Sequence, residues 1–146
     1  MSAAPVNAGG ISSVRTDAAP SPAGTYSQAV VAAGLVFLSG QTPRDIDGTR
    51  LGDRPFTEQV ARALENLAAV ATAAGSGLDR AVKVTVYLRD PARAADFDRV
   101  YREWFGPVPP ARTLVQSGLP GVDVEIDAIP GPVSYTHLTL PTNREV

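Results

Sequence analysis

Between residues 55 and 105 the apolar residues switch period twice, from helical to alternating and back, and few architectures accept that order. Val60, Leu64, Leu67, Ala71 and Ala74 recur at helical spacing, which puts one apolar stripe along a long helix over residues 55–74. Asp53 or Thr57 is placed to cap its start, and Gly75-Ser76-Gly77 supplies the stop. Residues 82–88 then alternate strictly, with Val82, Val84, Val86 and Leu88 on one face and Lys83, Thr85 and Tyr87 on the other, so a strand is predicted. Asp90-Pro91 opens a second helix, with Asp90 as cap and the proline where its missing N–H needs no partner. Phe97, Val100, Tyr101, Trp104 and Phe105 form its apolar face until Gly106-Pro107 ends it. Two one-sided helices around a strand require a sheet to pack on.

The flanks supply that sheet. A strand is predicted near residues 11–16, then a loop carrying Pro20, Pro22 and Gly24, then a hairpin over residues 29–39 that turns at Ala33-Gly34. At the other end residues 111–117 and 122–129 read as strands separated by Gly118-Leu119-Pro120-Gly121. The order β-β-β-α-β-α-β-β predicts an α+β domain in which two helices cover one face of one mixed sheet. The other face must find a different cover or stay partly wet.

A length of 146 residues fits one domain, and 44% apolar with 19% charged residues is ordinary globular usage. Residues 1–10 read as a flexible lead-in, residues 11–132 as the domain, and residues 133–146 as a tail foreign to it. That tail, VSYTHLTLPTNREV, breaks the Ala/Val/Arg/Asp-rich composition and resembles translated adapter sequence, so it is set aside from fold reasoning. It takes with it His137, the only histidine, and with that any His base, His metal ligand or Ser-His-Asp triad.

Thirteen Lys plus Arg against fifteen Asp plus Glu leave a net charge of −2 with no dense basic run, which gives nucleic-acid or anionic-membrane binding no electrostatic support. No cysteine is present, so disulfides, thiolate catalysis, Cys-bound zinc and iron–sulfur clusters are excluded. No apolar stretch approaches the ~20 residues of a membrane helix, and the N-terminus lacks the charged and apolar regions of a signal peptide. A cytoplasmic protein is expected.

The remaining candidate groups are carboxylates, arginine, tyrosine and serine. Arg112 follows Pro109-Pro110-Ala111 at a strand start, a rigid mount for a planar fork suited to carboxylate or phosphate, although on spacing alone a surface arginine is the plain reading. Glu125 lies between Val124 and Ile126 on the strand face that also carries Asp123 and Asp127, where a solvated carboxylate is the plain reading. Ser39 ends a strand, where it serves either a ligand or a local turn. Tyr26 is either a packing aromatic or a lid, and Asp98 on spacing alone is an exposed helix carboxylate. No Gly-rich phosphate loop and no Asp/Glu metal cluster occurs, so no metal site is expected.

In order and spacing, five fragments together resemble the RidA (YjgF-type) reactive-intermediate deaminases over about residues 11–130. They are Gly24-Thr25-Tyr26-Ser27-Gln28-Ala29, Leu38-Ser39-Gly40-Gln41, Ala63-Leu64-Glu65-Asn66-Leu67, Pro110-Ala111-Arg112-Thr113 and Val124-Glu125-Ile126. The resemblance implies a chorismate-mutase-like α+β fold, assembled as a homotrimer with sites in clefts between subunits. It also implies cofactor-free hydrolysis of 2-imino acids such as 2-iminobutanoate and 2-iminopropanoate to 2-keto acids and ammonia. Under it Arg112 would clamp the substrate carboxylate and Glu125 would hold or activate water, while Tyr26, Ser39 and Gly40 would line the pocket. Two positions depart from the family pattern, Asp98 where many members carry Asn and Leu114 where many carry Cys, and both bear on substrate choice. The rival activities are an endoribonuclease or translation inhibitor, a keto- or amino-acid binding module without turnover, and a deaminase of a larger enamine.

Overall fold

The computed structural model describes residues 10–131. The foreign tail read at residues 133–146 and most of the lead-in therefore lie outside the described residues.

Eight principal elements follow the predicted order. They are β1 (Ser12–Val14), β2 (Ala29–Ala32), β3 (Leu35–Leu38), α1 (Phe56–Ala73), β4 (Ala81–Leu88), α2 (Ala94–Tyr101), β5 (Ala111–Gln116) and β6 (Val124–Pro130). The hairpin between β2 and β3 turns on Ala33 and Gly34, both at positive φ (54° and 77°), which matches the twist of antiparallel strands. Helix α1 ends as expected. Gly75 takes φ +86°, the Ser76 N–H reaches the Ala71 carbonyl and the Gly75 N–H that of Thr72, closing the last turn.

Its start differs from expectation. Pro55 occupies the cap position and no side chain caps the helix, so neither Asp53 nor Thr57 has that role. The Pro55 carbonyl takes the first N–H groups, from Glu58 and Gln59. Asp90 does cap, accepting from the Ala92 N–H at 3.0 Å, but what it opens is a 3-10 turn over Pro91–Arg93 before α2 begins.

The strands form two hydrogen-bonded triplets, β1-β2-β3 and β5-β4-β6, instead of one ladder. Ser39 and Gly40 interrupt the chain after β3, and pairing resumes only at Gln41, which exchanges backbone hydrogen bonds with Ile126 at 2.8 and 3.0 Å. In the second triplet β4 is central, parallel to β5 and antiparallel to β6. Strands β5 and β6, neighbours in sequence, thus lie on opposite sides of β4.

Both helices cover one face. Val36, Leu38, Val84, Val86, Leu88, Val124 and Ile126 point into the core against Val60, Leu64, Leu67 and Val70 of α1 and Phe97 of α2. Fully burying such a side chain is worth about 1.5–3 kcal/mol. Val82, assigned by alternation to the same face, is half exposed because the register shifts between Ala81 and Lys83 and leaves it bulged.

Three buried amides hold the irregular segments. Gln28 accepts from the Thr16 N–H and donates to the carbonyls of Thr16 and Pro20, fixing the Pro-rich loop. Asn66 donates to the Thr42 and Arg44 carbonyls, and Gln59 donates to the Arg54 carbonyl and to Asp123. Each bond satisfies a buried group that would otherwise cost stability.

Candidate active site

The predicted site residues form two clusters on opposite faces of the β5-β4-β6 triplet. Glu125 pairs across the ladder with Tyr87, and Arg112 pairs with Val84. Tyr87 and Val84 are an odd number of residues apart on one strand, so they face opposite sides, and their cross-strand partners face with them. Within one chain the proposed water-holding carboxylate and the proposed carboxylate clamp are therefore separated by the sheet.

The first cluster is built around Glu125. Adding a Cβ to Gly40 would place it 3.1 Å from Glu125 Cδ and closer still to Oε2. The carboxylate thus lies directly on the Gly40 backbone, the close approach that only glycine permits there. Ser39 sits beside it but points its hydroxyl away, donating to the Ser27 carbonyl at 2.6 Å while its N–H donates to the Gln28 carbonyl. This ties the 26–28 loop to the end of β3. Tyr26 is 47% exposed, and its hydroxyl accepts from the Ala23 N–H at 3.0 Å, which folds the ring over its own loop.

Sequence reasoning missed two members of this cluster. The Tyr87 hydroxyl donates to Asp127 at 2.9 Å, on the same outer face as Glu125. Alternation gave both positions their face but not their contact. Half-burial, and then the negative charge of Asp127, push the Glu125 carboxyl above its ordinary value of 4.5. Removing the Asp127 charge removes the second cause, so Asp127→Asn should move the Glu125 titration toward lower pH. Carbon-13 NMR of labelled glutamate carboxyls checks this, and an unchanged or higher midpoint would refute it.

The second cluster is built around Arg112 at the start of β5. Its Nη1 donates to Asp98 at 2.7 Å, and its guanidinium carbon lies 4.7 Å from the centre of the Tyr101 ring and 5.8 Å from that of Phe97. Asp98 is thus more than the exposed helix carboxylate of its spacing. Burial raises the Tyr101 hydroxyl above its usual range and the Arg112 charge opposes that rise. Arg112 opens onto a groove of about 570 Å³ lined also by Arg102, Phe105, Pro109 and Pro110. Leu114 pairs with Val86 on the same face and packs against the core, so its side chain is not among the groove's lining residues. Among the described residues no group of three or more His, Cys, Asp or Glu could hold a metal ion. No helix among them is long and apolar enough to cross a membrane.

The chain is thus an α+β domain with a half-buried carboxylate on one sheet face and an aromatic-backed arginine on the other. The family model described as Endoribonuclease L-PSP matches residues 16–130. A RutC family protein of Pyrococcus abyssi is 41% identical over 116 residues, covering 78% of this chain and 91% of the relative. Among solved structures, RidA of the Antarctic bacterium Psychrobacter sp. PAMC 21119 aligns with a TM-score of 0.74 at 37% identity, covering 81% of this chain and 97% of that one. Escherichia coli TdcF, solved with bound serine, aligns with a TM-score of 0.75 at 33% identity, covering 81% and 96%. The chain belongs to the RidA/L-PSP family.

Proposed function

We propose that the protein hydrolyses 2-imino or enamino acids to 2-keto acids and ammonia, at sites completed between subunits of a homotrimer. The observation that carries this reading is the separation of the half-sites by the sheet. An arginine aimed to one side and a carboxylate aimed to the other meet only if Arg112 of one subunit faces Glu125 of the next. The exposed outer face, which carries Phe37 and Val115 as well as Glu125, gives such a contact apolar area.

In the assembled site Arg112 holds the substrate carboxylate through donors not used by Asp98. Glu125 holds a water against the imine carbon and accepts its proton as the C–O bond forms. From the protonated imine this gives a carbinolamine, and the same proton then passes to its nitrogen. The C–N bond breaks as Glu125 takes the hydroxyl proton and the C=O forms. The 2-keto acid and ammonia leave, the ammonia carrying that last proton away as ammonium. A carboxyl with raised proton affinity suits this transfer and return. Tyr26, Ser39 and Gly40 place the Glu125 half, Asp98 shapes the Arg112 half, and Leu114 packs against the core behind it. The protein is proposed to be cytoplasmic and to need no cofactor.

The bound serine of TdcF supports a small α-amino-acid-like ligand, and it equally favours a second reading, binding without turnover. A net charge of −2 gives the endoribonuclease reading no electrostatic help.

The test mixes two dead variants. Arg112→Ala and Glu125→Gln should each abolish suppression of semicarbazone formation in a dehydratase reaction releasing 2-iminobutanoate. Unfolded and reassembled together at equal amounts, they should regain about a quarter of wild-type activity. Three-quarters of random trimers are then mixed, and each mixed trimer has one intact interface of three. No recovery from properly trimeric mixtures would mean that the two residues do not meet across a subunit interface, and would overturn the inter-subunit site. An inactive wild type that still binds 2-oxobutanoate would favour the binding module.

A further inference from the structure

Asp98 stands between two arginines. Its Oδ1 accepts from Arg112 at 2.7 Å, and its Oδ2 lies 3.7 Å from Nη2 of Arg102. Both arginines and Asp98 line the same groove, whose other walls, Tyr101, Phe105 and Pro109 among them, carry no charge at neutral pH. Two positive charges against one negative leave the groove a single uncompensated positive charge. Arg112 keeps one donor edge for one carboxylate, because its Nη1 is already engaged.

We propose that Asp98 makes this groove selective for monocarboxylates, admitting 2-imino acids with neutral side chains and rejecting those whose side chain carries a second carboxylate. The proposal rests on the deaminase or ligand-binding reading above. A first carboxylate on Arg112 uses up the free charge. A second must then lie beside Asp98 in a groove with no charge left to receive it, and such like-charge placement is how a site discriminates against a competitor. With both side chains partly exposed, at 30% and 41%, the Arg112–Asp98 pair contributes little to folding. Its effect therefore falls on the ligand, and Asp98 is a positioning and specificity residue.

The experiment is calorimetric binding of 2-oxobutanoate and 2-oxoglutarate, the first with one carboxylate and the second with two, to the assembled protein. Wild type should prefer the monoacid. Asp98→Asn should narrow that preference by about fivefold or more, chiefly by gaining affinity for the diacid. Asp98→Glu, which keeps the charge, should retain the preference, and added salt should erode it in wild type. An unchanged ratio in Asp98→Asn overturns the proposal while leaving the reading of the site intact. Equal loss of both acids in that variant also overturns it, since Asp98 would then only brace Arg112. If wild type binds neither acid, or Arg112→Ala still binds the monoacid, the reading of the site fails and the proposal fails with it.

Discussion

Gly40→Ala should lower kcat/KM for imine hydrolysis by about a hundredfold while barely changing the melting temperature. The new methyl carbon would sit 3.1 Å from Glu125 Cδ and nearer to its Oε2, and the atoms that must give way are the free end of a flexible side chain. Swinging a carboxylate aside costs the fold little. It costs the reaction much, since misplacing a catalytic group by about 1 Å can remove about 10²-fold in rate. If the loss works through Glu125, Gly40→Ala should also move the Glu125 carboxyl titration read by carbon-13 NMR, because the displaced carboxylate changes its burial and its distance from Asp127. A lost rate with an unmoved titration would mean that Gly40 acts by another route, such as the Gln41–Ile126 bridge that follows it.

Gly52→Ala should do the reverse, with a large loss of stability and no direct effect on chemistry. A Cβ at residue 52 would lie 2.9 Å from the carbonyl carbon of Gly121 and closer to its oxygen, so backbone must move. Neither side is free to do so. Gly121 is held at φ +74°, Val122 beside it is buried, and Gln59 Nε2 donates to the Gly52 carbonyl at 3.3 Å. Overpacking of this kind costs about 3 kcal/mol, enough to lower the melting temperature by roughly 10 °C in a domain of this size. Thermal denaturation at fixed protein concentration reads it, and a shift of only a degree or two would show that the 50–54 and 118–122 loops can part. Gly52 has no sequence signal, because the clash involves a residue 69 positions away.

The elements legible in the sequence are those whose period is set by local burial. The stripe from Val60 to Ala74 and the alternation from Val84 to Leu88 each state which face is wet, and the fold obeys both. Val82 escaped because a bulge depends on the partner strand, here Pro130 and Ile129, and not on the residues that precede it. The division of the sheet escaped for a similar reason, since nothing in Leu38-Ser39-Gly40-Gln41 says how many hydrogen bonds β3 and β6 will exchange. In the site, the face of Glu125 was readable from the flanking Val124 and Ile126. The face of Arg112 was not. Strand β5 is largely exposed at its edge of the sheet, with no alternation to orient it, and its register comes from parallel pairing with β4 across the whole of α2. Residues at the groove wall carried a second meaning as well, Tyr101 as core and Pro109 as a strand lead-in, which hid their nearness to Arg112.

The amides of Gln28, Gln59 and Asn66 pin loops in the way that small extracellular domains use covalent staples. Each does so with a hydrogen bond to a backbone carbonyl more than ten residues away or across a helix start. In a chain with no cysteine this makes loop anchoring indifferent to thiol reductants and oxidants. The same three ties hold in reducing and in oxidising surroundings, so a change of redox potential does not loosen the loops that they anchor.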